Sequence, residues 1–202
     1  QINALKNNNV QSFDRAFFAH IGLVFNSFCK SLAYYLTRAQ INCQKGHFQR
    51  YKQKLTWVSS EFTLLTNVAL AILGPSLKKR ENISARFGDI LSNCYLITAT
   101  LREFENNPNE QDKDLVDYIC NYCFNEIQIA REEIIINIGY LGFLLPLVKI
   151  NPFSIKEKDS LNAKIVKNLE NEDYLKQMTS SLFISNSKED RLAKIQKAVK
   201  LN

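Results

Sequence analysis

The pair Cys120-x-x-Cys123 is the nearest approach in this chain to a chemical motif. A zinc site needs four ligands, and no second close pair accompanies it. The two histidines, His20 and His47, lie in other segments far along the chain. A redox pair would need a thioredoxin-like strand context. Both cysteines instead fall on one apolar helical stripe, so the spacing reads as core packing, and no metal site is expected. His20 stands beside Ile21, which suits a hydrogen-bonded, partly buried side chain better than a base. Glu132 and Glu133 are neighbours and point about 100° apart on a helix, so they read as a solvated face rather than a dyad. Gly-rich phosphate loops, Ser-His-Asp sets and HExxH runs do not occur.

The segment from Leu77 to Ser92 is the most unusual. Lys78-Lys79-Arg80-Glu81 leads into Ser84-Ala85-Arg86-Phe87-Gly88-Asp89. Arg86 and Asp89 are three apart and can pair on one helical face. Gly88 within a helix costs about 1 kcal/mol relative to alanine, and such a residue often admits another helix. Ser84, Arg86 and Asp89 are therefore expected to form an interior polar contact, with a binding role as the alternative.

The elements that must position these residues are helices. Phe13, Phe17, Ile21, Val24, Phe28, Leu32 and Tyr35 recur at steps of four or three. Leu55, Val58, Phe62, Leu65, Ala69 and Ile72 form a second stripe; Ile83, Phe87, Ile90, Cys94, Ile97, Leu101 and Phe104 a third. Val116, Cys120, Cys123, Ile127, Ala130 and Ile134 form the fourth. Steps of three and four hold side chains on one helical face. The expected fold is all-α, an antiparallel four-helix bundle over residues 1–138. Residues 139–202 are expected to form a broken apolar segment and short tail helices, packed on the bundle or mobile. Ser12 is the expected first N-cap, Gly74-Pro75 ends the second helix, Asn106 to Asn109 form a turn, and Asp112 or Asp114 opens the fourth helix.

Composition limits the function classes. The 202 residues carry a net charge of +6 with Gly 6 and Pro 4, which suits helices better than many short strands. Residues 45–86 hold eight basic and two acidic side chains, and residues 102–133 hold three and nine. Such opposed segments can offset each other across a helix contact. Neither a nucleic-acid reading motif nor basic residues interleaved with aromatics is present, so no nucleic acid is expected. Five cysteines without framework spacing, all but Cys43 on apolar helical patterns, read as reduced, and no signal-peptide pattern opens the chain. The expected location is cytoplasmic, with contact at the inner membrane face left open. The longest uncharged runs, such as Phe62–Leu77 and Ile134–Val148, fall short of the ~20 residues of a membrane span, so none is expected. Lys188, Arg191, Lys194 and Lys197 form a basic face opposite Leu192, Ile195 and Val199. That helix either lies on a membrane surface or packs with its basic face in water.

Several segments carry a resemblance: Asn8-Asn9-Val10 with Phe13-Asp14, Leu36-Thr37-Arg38, and Ala69, Ile72, Leu73 and Gly74. The strongest is Ser76-Leu77-Lys78-Lys79-Arg80-Glu81 running into Ile83 to Ser92, then Tyr95-Leu96 and Ala99-Thr100-Leu101. The sequence resembles the C-terminal region of large bacterial acyl-CoA dehydrogenases of fatty-acid β-oxidation, well over residues 1–150 and loosely beyond. The resemblance implies an FAD-dependent parent enzyme that removes two hydrogens across the α,β bond of an acyl-CoA thioester. It also implies electron transfer to an electron-transferring flavoprotein, and a homo-oligomer. The family's base is a glutamate in a Thr-Val-Glu-Gly-type motif just before the position of Gln1, and this sequence holds no such motif. No catalytic or cofactor-binding residue, and no FAD, is therefore expected in this segment. Its expected role is accessory, in association, in the wall of the acyl site or at the membrane surface. The alternative is a stand-alone helical scaffold or binding module without catalysis.

Overall fold

The computed structural model describes residues 10–41, 46, 48–139, 141–142, 146, 149, 153, 159–180 and 191. Four long helices are present: α1 (Val10–Thr37), α2 (Gln49–Leu73), α3 (Glu81–Asn106) and α4 (Lys113–Asn137). Two short helices follow, α5 (Asp159–Leu169) and α6 (Glu172–Thr179), and no strand occurs among the described residues. The chain divides into two compact units, residues 1–158 and residues 159–202. Phe153, which lies within the expected tail segment 139–202, is tied into the first unit.

Local chemistry sets the helix ends. α1 stops where Arg38 and Ala39 take φ values of 50° and 59°, a left-handed exit in which the Ala39 N–H donates to the Tyr34 carbonyl at 2.8 Å. Ser12 lies inside α1 rather than capping it, since the helix already includes Val10. α2 ends at Gly74, whose φ of 50° suits glycine, and Pro75 opens the 3-10 turn Gly74–Lys79. Asn109 accepts from the Gln111 N–H, turning the chain into α4, which carries Asp114 in its first turn.

Within the first unit α1 runs antiparallel to α2, as Tyr35 against Trp57 shows. Phe48 against Phe104 and Phe62 against Phe87 make α2 antiparallel to α3. The ion pair Arg86–Glu133 places the start of α3 beside the end of α4. The third and fourth stripes are core as read: Ile83, Phe87, Ile90, Ile97, Leu101 and Phe104 are buried, as are all six residues of the fourth. Each such side chain contributes about 1.5–3 kcal/mol of burial.

The first stripe departs from expectation. Phe17, Ile21, Phe28 and Leu32 stay exposed, while Ser27 and Ser31 are buried. α1 packs along α2 with the stripe's last residue, Tyr35, against Trp57, while the four apolar residues named above stay outside the covered side. Cys29, expected in a core, is likewise exposed. By length and composition, Gln11–Thr37 and Gln49–Lys79 are each apolar enough to cross a membrane, at a mean hydropathy of 1.3. Counting uninterrupted uncharged runs missed them, because such helices tolerate an occasional charge.

Candidate functional site: a buried polar clasp and an open cationic groove

The expected interior contact of Ser84, Arg86 and Asp89 does not form. Ser84 and Asp89 are exposed, and Arg86 reaches across to α4, where its Nε donates to Glu133 Oε2 at 2.5 Å. That leaves Asp89 without the expected partner: an inter-helix carboxylate has displaced the one three residues away. A Cβ added to Gly88 would meet nothing within 4 Å, so among the described residues no helix uses the space. Around the same corner, Lys79, Arg80, Glu81, Asn82, Ile83, Arg86 and Asn137 line an open groove of about 450 Å³.

The opposed charge segments do compensate internally. Lys52 pairs with Glu105, and Arg86 with Glu133. A third pair runs the other way and is deeply buried: Arg131 Nε donates to Glu61 Oε1 at 2.5 Å, with the two side chains 3% and 12% exposed.

This third pair anchors a cluster that sequence spacing did not reveal. α2 supplies Lys54, Trp57 and Glu61, and α4 supplies Phe124, Gln128 and Arg131, each set on one face at steps of three and four. Phe153, beyond α4, sits among them. Its N–H donates to Gln128 Oε1 at 2.9 Å, and its carbonyl accepts from Lys54 Nζ at 2.8 Å. Its ring meets Trp57 edge-on at 4.6 Å and carries the Arg131 guanidinium 4.3 Å from its centroid. Arg131 Nη1 also donates to Gln128 Oε1 at 3.2 Å, and Gln128 Nε2 donates to Glu132 at 2.7 Å.

Electrostatics follow from burial. Desolvation lowers the Lys54 pKa to about 8, helped by nearby Arg50. Burial raises that of Glu61, against the pull of Arg131. The adjoining cavity holds about 10 Å³, room for about one water. Lys54, Glu61, Gln128 and Arg131 each hold a partner within the cluster, while the buried Trp57 Nε1 has none among the described residues, and the cluster is a clasp. The signals available in the sequence were Arg131 beside Ala130 in an apolar stripe, and Glu61 beside Phe62.

The other sequence candidates separate. Cys120 and Cys123 are buried and free, and burial pushes Cys120 up to about 12 and raises Cys123. Among the described residues no group of His, Cys, Asp and Glu is placed to hold a metal. His20 is exposed rather than partly buried, since it lies on α1, most of whose surface is uncovered. Glu132 and Glu133 serve Gln128 and Arg86 separately. His47, Lys188, Lys194 and Lys197 lie outside the described residues, and Arg191 is exposed.

A flavin finds no fit here. The cavity at the clasp is far too small for an isoalloxazine ring, and the groove at Arg86 is open and lined mainly by charged and amide side chains. No solved structure matches the chain. The family model described as acyl-CoA dehydrogenase, C-terminal, bacterial type matches residues 1–202, and the chain belongs to that family.

Proposed function

We propose that this chain is the helical accessory domain of an FAD-dependent acyl-CoA dehydrogenase and carries neither the flavin nor the catalytic glutamate. The observation that supports it is the nature of the interior. Among the described residues the third and fourth stripes are buried, and the cavity at the clasp, about 10 Å³, is far too small for an acyl thioester or a flavin ring. Acyl-CoA dehydrogenases are oxidoreductases, and in the parent protein the acyl-CoA substrate and the electron-transferring flavoprotein belong to the catalytic part. The role assigned to this domain is association, with the wall of the acyl site or a membrane-surface contact as further duties. A cytoplasmic location, peripheral at the inner membrane face, accords with that reading.

The test is direct. The purified chain is expected to be colourless, to take up no FAD on dialysis, and to show no oxidation of acyl-CoA with an artificial electron acceptor. A flavin absorption band that survives gel filtration, or turnover by this chain alone, would overturn the reading.

A further inference from the structure

Where the turn after α2 enters α3, beside the end of α4, basic side chains converge on the open groove that the clasp does not use. Its 450 Å³ falls in the range of small-ligand sites. Lys79 and Arg80 line it, are exposed, and meet no carboxylate among the described residues. Arg86, from further along α3, lines it too, but its side chain is only 22% exposed. Its Nε donates to Glu133 Oε2 at 2.5 Å, and its two Nη groups have no partner among the described residues.

We propose that this groove binds a phosphate group, free or borne on a lipid headgroup, with the Nη fork of Arg86 as its anchor. A run such as Lys78-Lys79-Arg80 taken alone reads as a solvated face. The difference here is convergence on a cavity with a third cation that is mostly buried and fixed in place. A carboxylate on Nε holds the guanidinium plane and leaves the fork that takes phosphate through two parallel hydrogen bonds. Asn82 and Asn137 add amide groups to the lining. α3 opens at the same groove without a side-chain cap, so the N–H groups of its first turn reinforce the positive wall. Two carboxylates oppose an anion: Glu81 in the lining and Glu133 behind Arg86. Three cations against these two leave a surplus of one, and exposed Lys78 adjoins them. Of the three residues expected to act together, Arg86 alone faces the groove, and its companions are Lys79 and Arg80 rather than Ser84 and Asp89.

Isothermal titration calorimetry of the 202-residue chain with sodium pyrophosphate, in phosphate-free buffer of low ionic strength, is expected to show one site with a Kd below about 1 mM, weakened by added salt. Arg86→Gln, and separately Lys79→Gln with Arg80→Gln, should each weaken it about tenfold or more, the loss that accompanies one charge-assisted hydrogen bond. The paired variant alters only exposed side chains, so its circular dichroism spectrum and melting midpoint should not move. Glu81→Gln should tighten binding by removing the opposing charge. Lys167→Gln, the loss of an exposed charge in the second unit, should leave it unchanged. No binding at pyrophosphate concentrations tenfold above that Kd would overturn the inference. So would binding indifferent to both groove variants, or weakened as much by Lys167→Gln as by Arg86→Gln. Co-sedimentation with phosphatidylglycerol vesicles names the source of the phosphate. Vesicle binding that pyrophosphate displaces and the paired variant loses assigns the groove to a headgroup. Vesicle binding indifferent to both, or none at all, assigns it to a soluble phosphate compound. No outcome bears on flavin content or turnover, so this inference and the accessory-domain reading fail separately.

Discussion

Arg131 shows what one buried charge demands of its surroundings. Its guanidinium meets Glu61, Gln128 and the Phe153 ring at 3% exposure, so nearly all of its hydration has been exchanged for protein partners. Removing one member of a buried pair leaves the other uncompensated, which typically costs 3–5 kcal/mol, whereas apolar replacement of both is often neutral. Arg131→Ala is therefore expected to lower stability by about 3–5 kcal/mol in urea titrations, and Glu61→Leu combined with Arg131→Met to recover most of it. A double variant as unstable as the single one would sink this account. Lys54 makes a pH-dependent counterpart. Its proton is lost near pH 8 in the folded chain but near 10.5 when unfolded, so the penalty for burying its charge is full below pH 8 and fades as pH climbs through that window. Cys94 and Cys120, pushed up to about 12 by burial, act in the opposite direction above about pH 9. The comparison with Lys54→Met isolates the lysine. The stability of the natural chain relative to that variant should rise between pH 8 and 10, and a flat difference would remove Lys54 from the ledger.

At the level of helices, apolar periodicity located all four long elements because steps of three and four keep apolar side chains on one helical face. It could not name what covers a stripe. α4 and α1 look alike as patterns, yet Cys123 of α4 is buried and Phe28 of α1 is half exposed. The difference lies in the neighbours: α4 pairs closely with α3 and reaches α2 through Tyr51 and Arg131, while α1 meets α2 with Tyr35 against Trp57 and leaves Phe28 outside that contact. The clasp was illegible for a related reason, since Lys54, Gln128 and Phe153 lie far apart in sequence and only the fold joins them. The two helices make a measurable contrast in thiol chemistry. The reactive species is the thiolate, and both burial and a raised pKa suppress it at Cys120 and Cys123. Under native conditions Cys29 is expected to react with maleimide at least a hundredfold faster than either. Mass spectrometry of labelled peptides would check it, and comparable labelling of Cys120 would mean that α4 opens readily.

On the scale of the whole molecule, the sequence placed a change of character near Gly139, whereas the compact units divide between residues 158 and 159. Glycine and proline mark where a helix ends, not where the chain ceases to be anchored: among the described residues beyond α4, Ile138, Leu141 and Phe153 are buried. Phe153 is 1% exposed and packs against both Trp57 and Arg131, so this residue belongs physically to the helices before it. Loss of a buried phenylalanine side chain costs about 3–5 kcal/mol. A chain shortened to residues 1–158 keeps the clasp and should unfold within a few degrees of the intact chain. Phe153→Ala in the intact chain should instead depress the midpoint by roughly 6–20 °C, at about 2–4 °C for each kcal/mol. It strips Trp57 and Arg131 of a packing surface while the backbone hydrogen bonds to Gln128 and Lys54 can persist. Calorimetry of the two variants side by side decides the matter. If shortening at 158 is the more damaging change, the account of Phe153 as an anchor of the first unit fails.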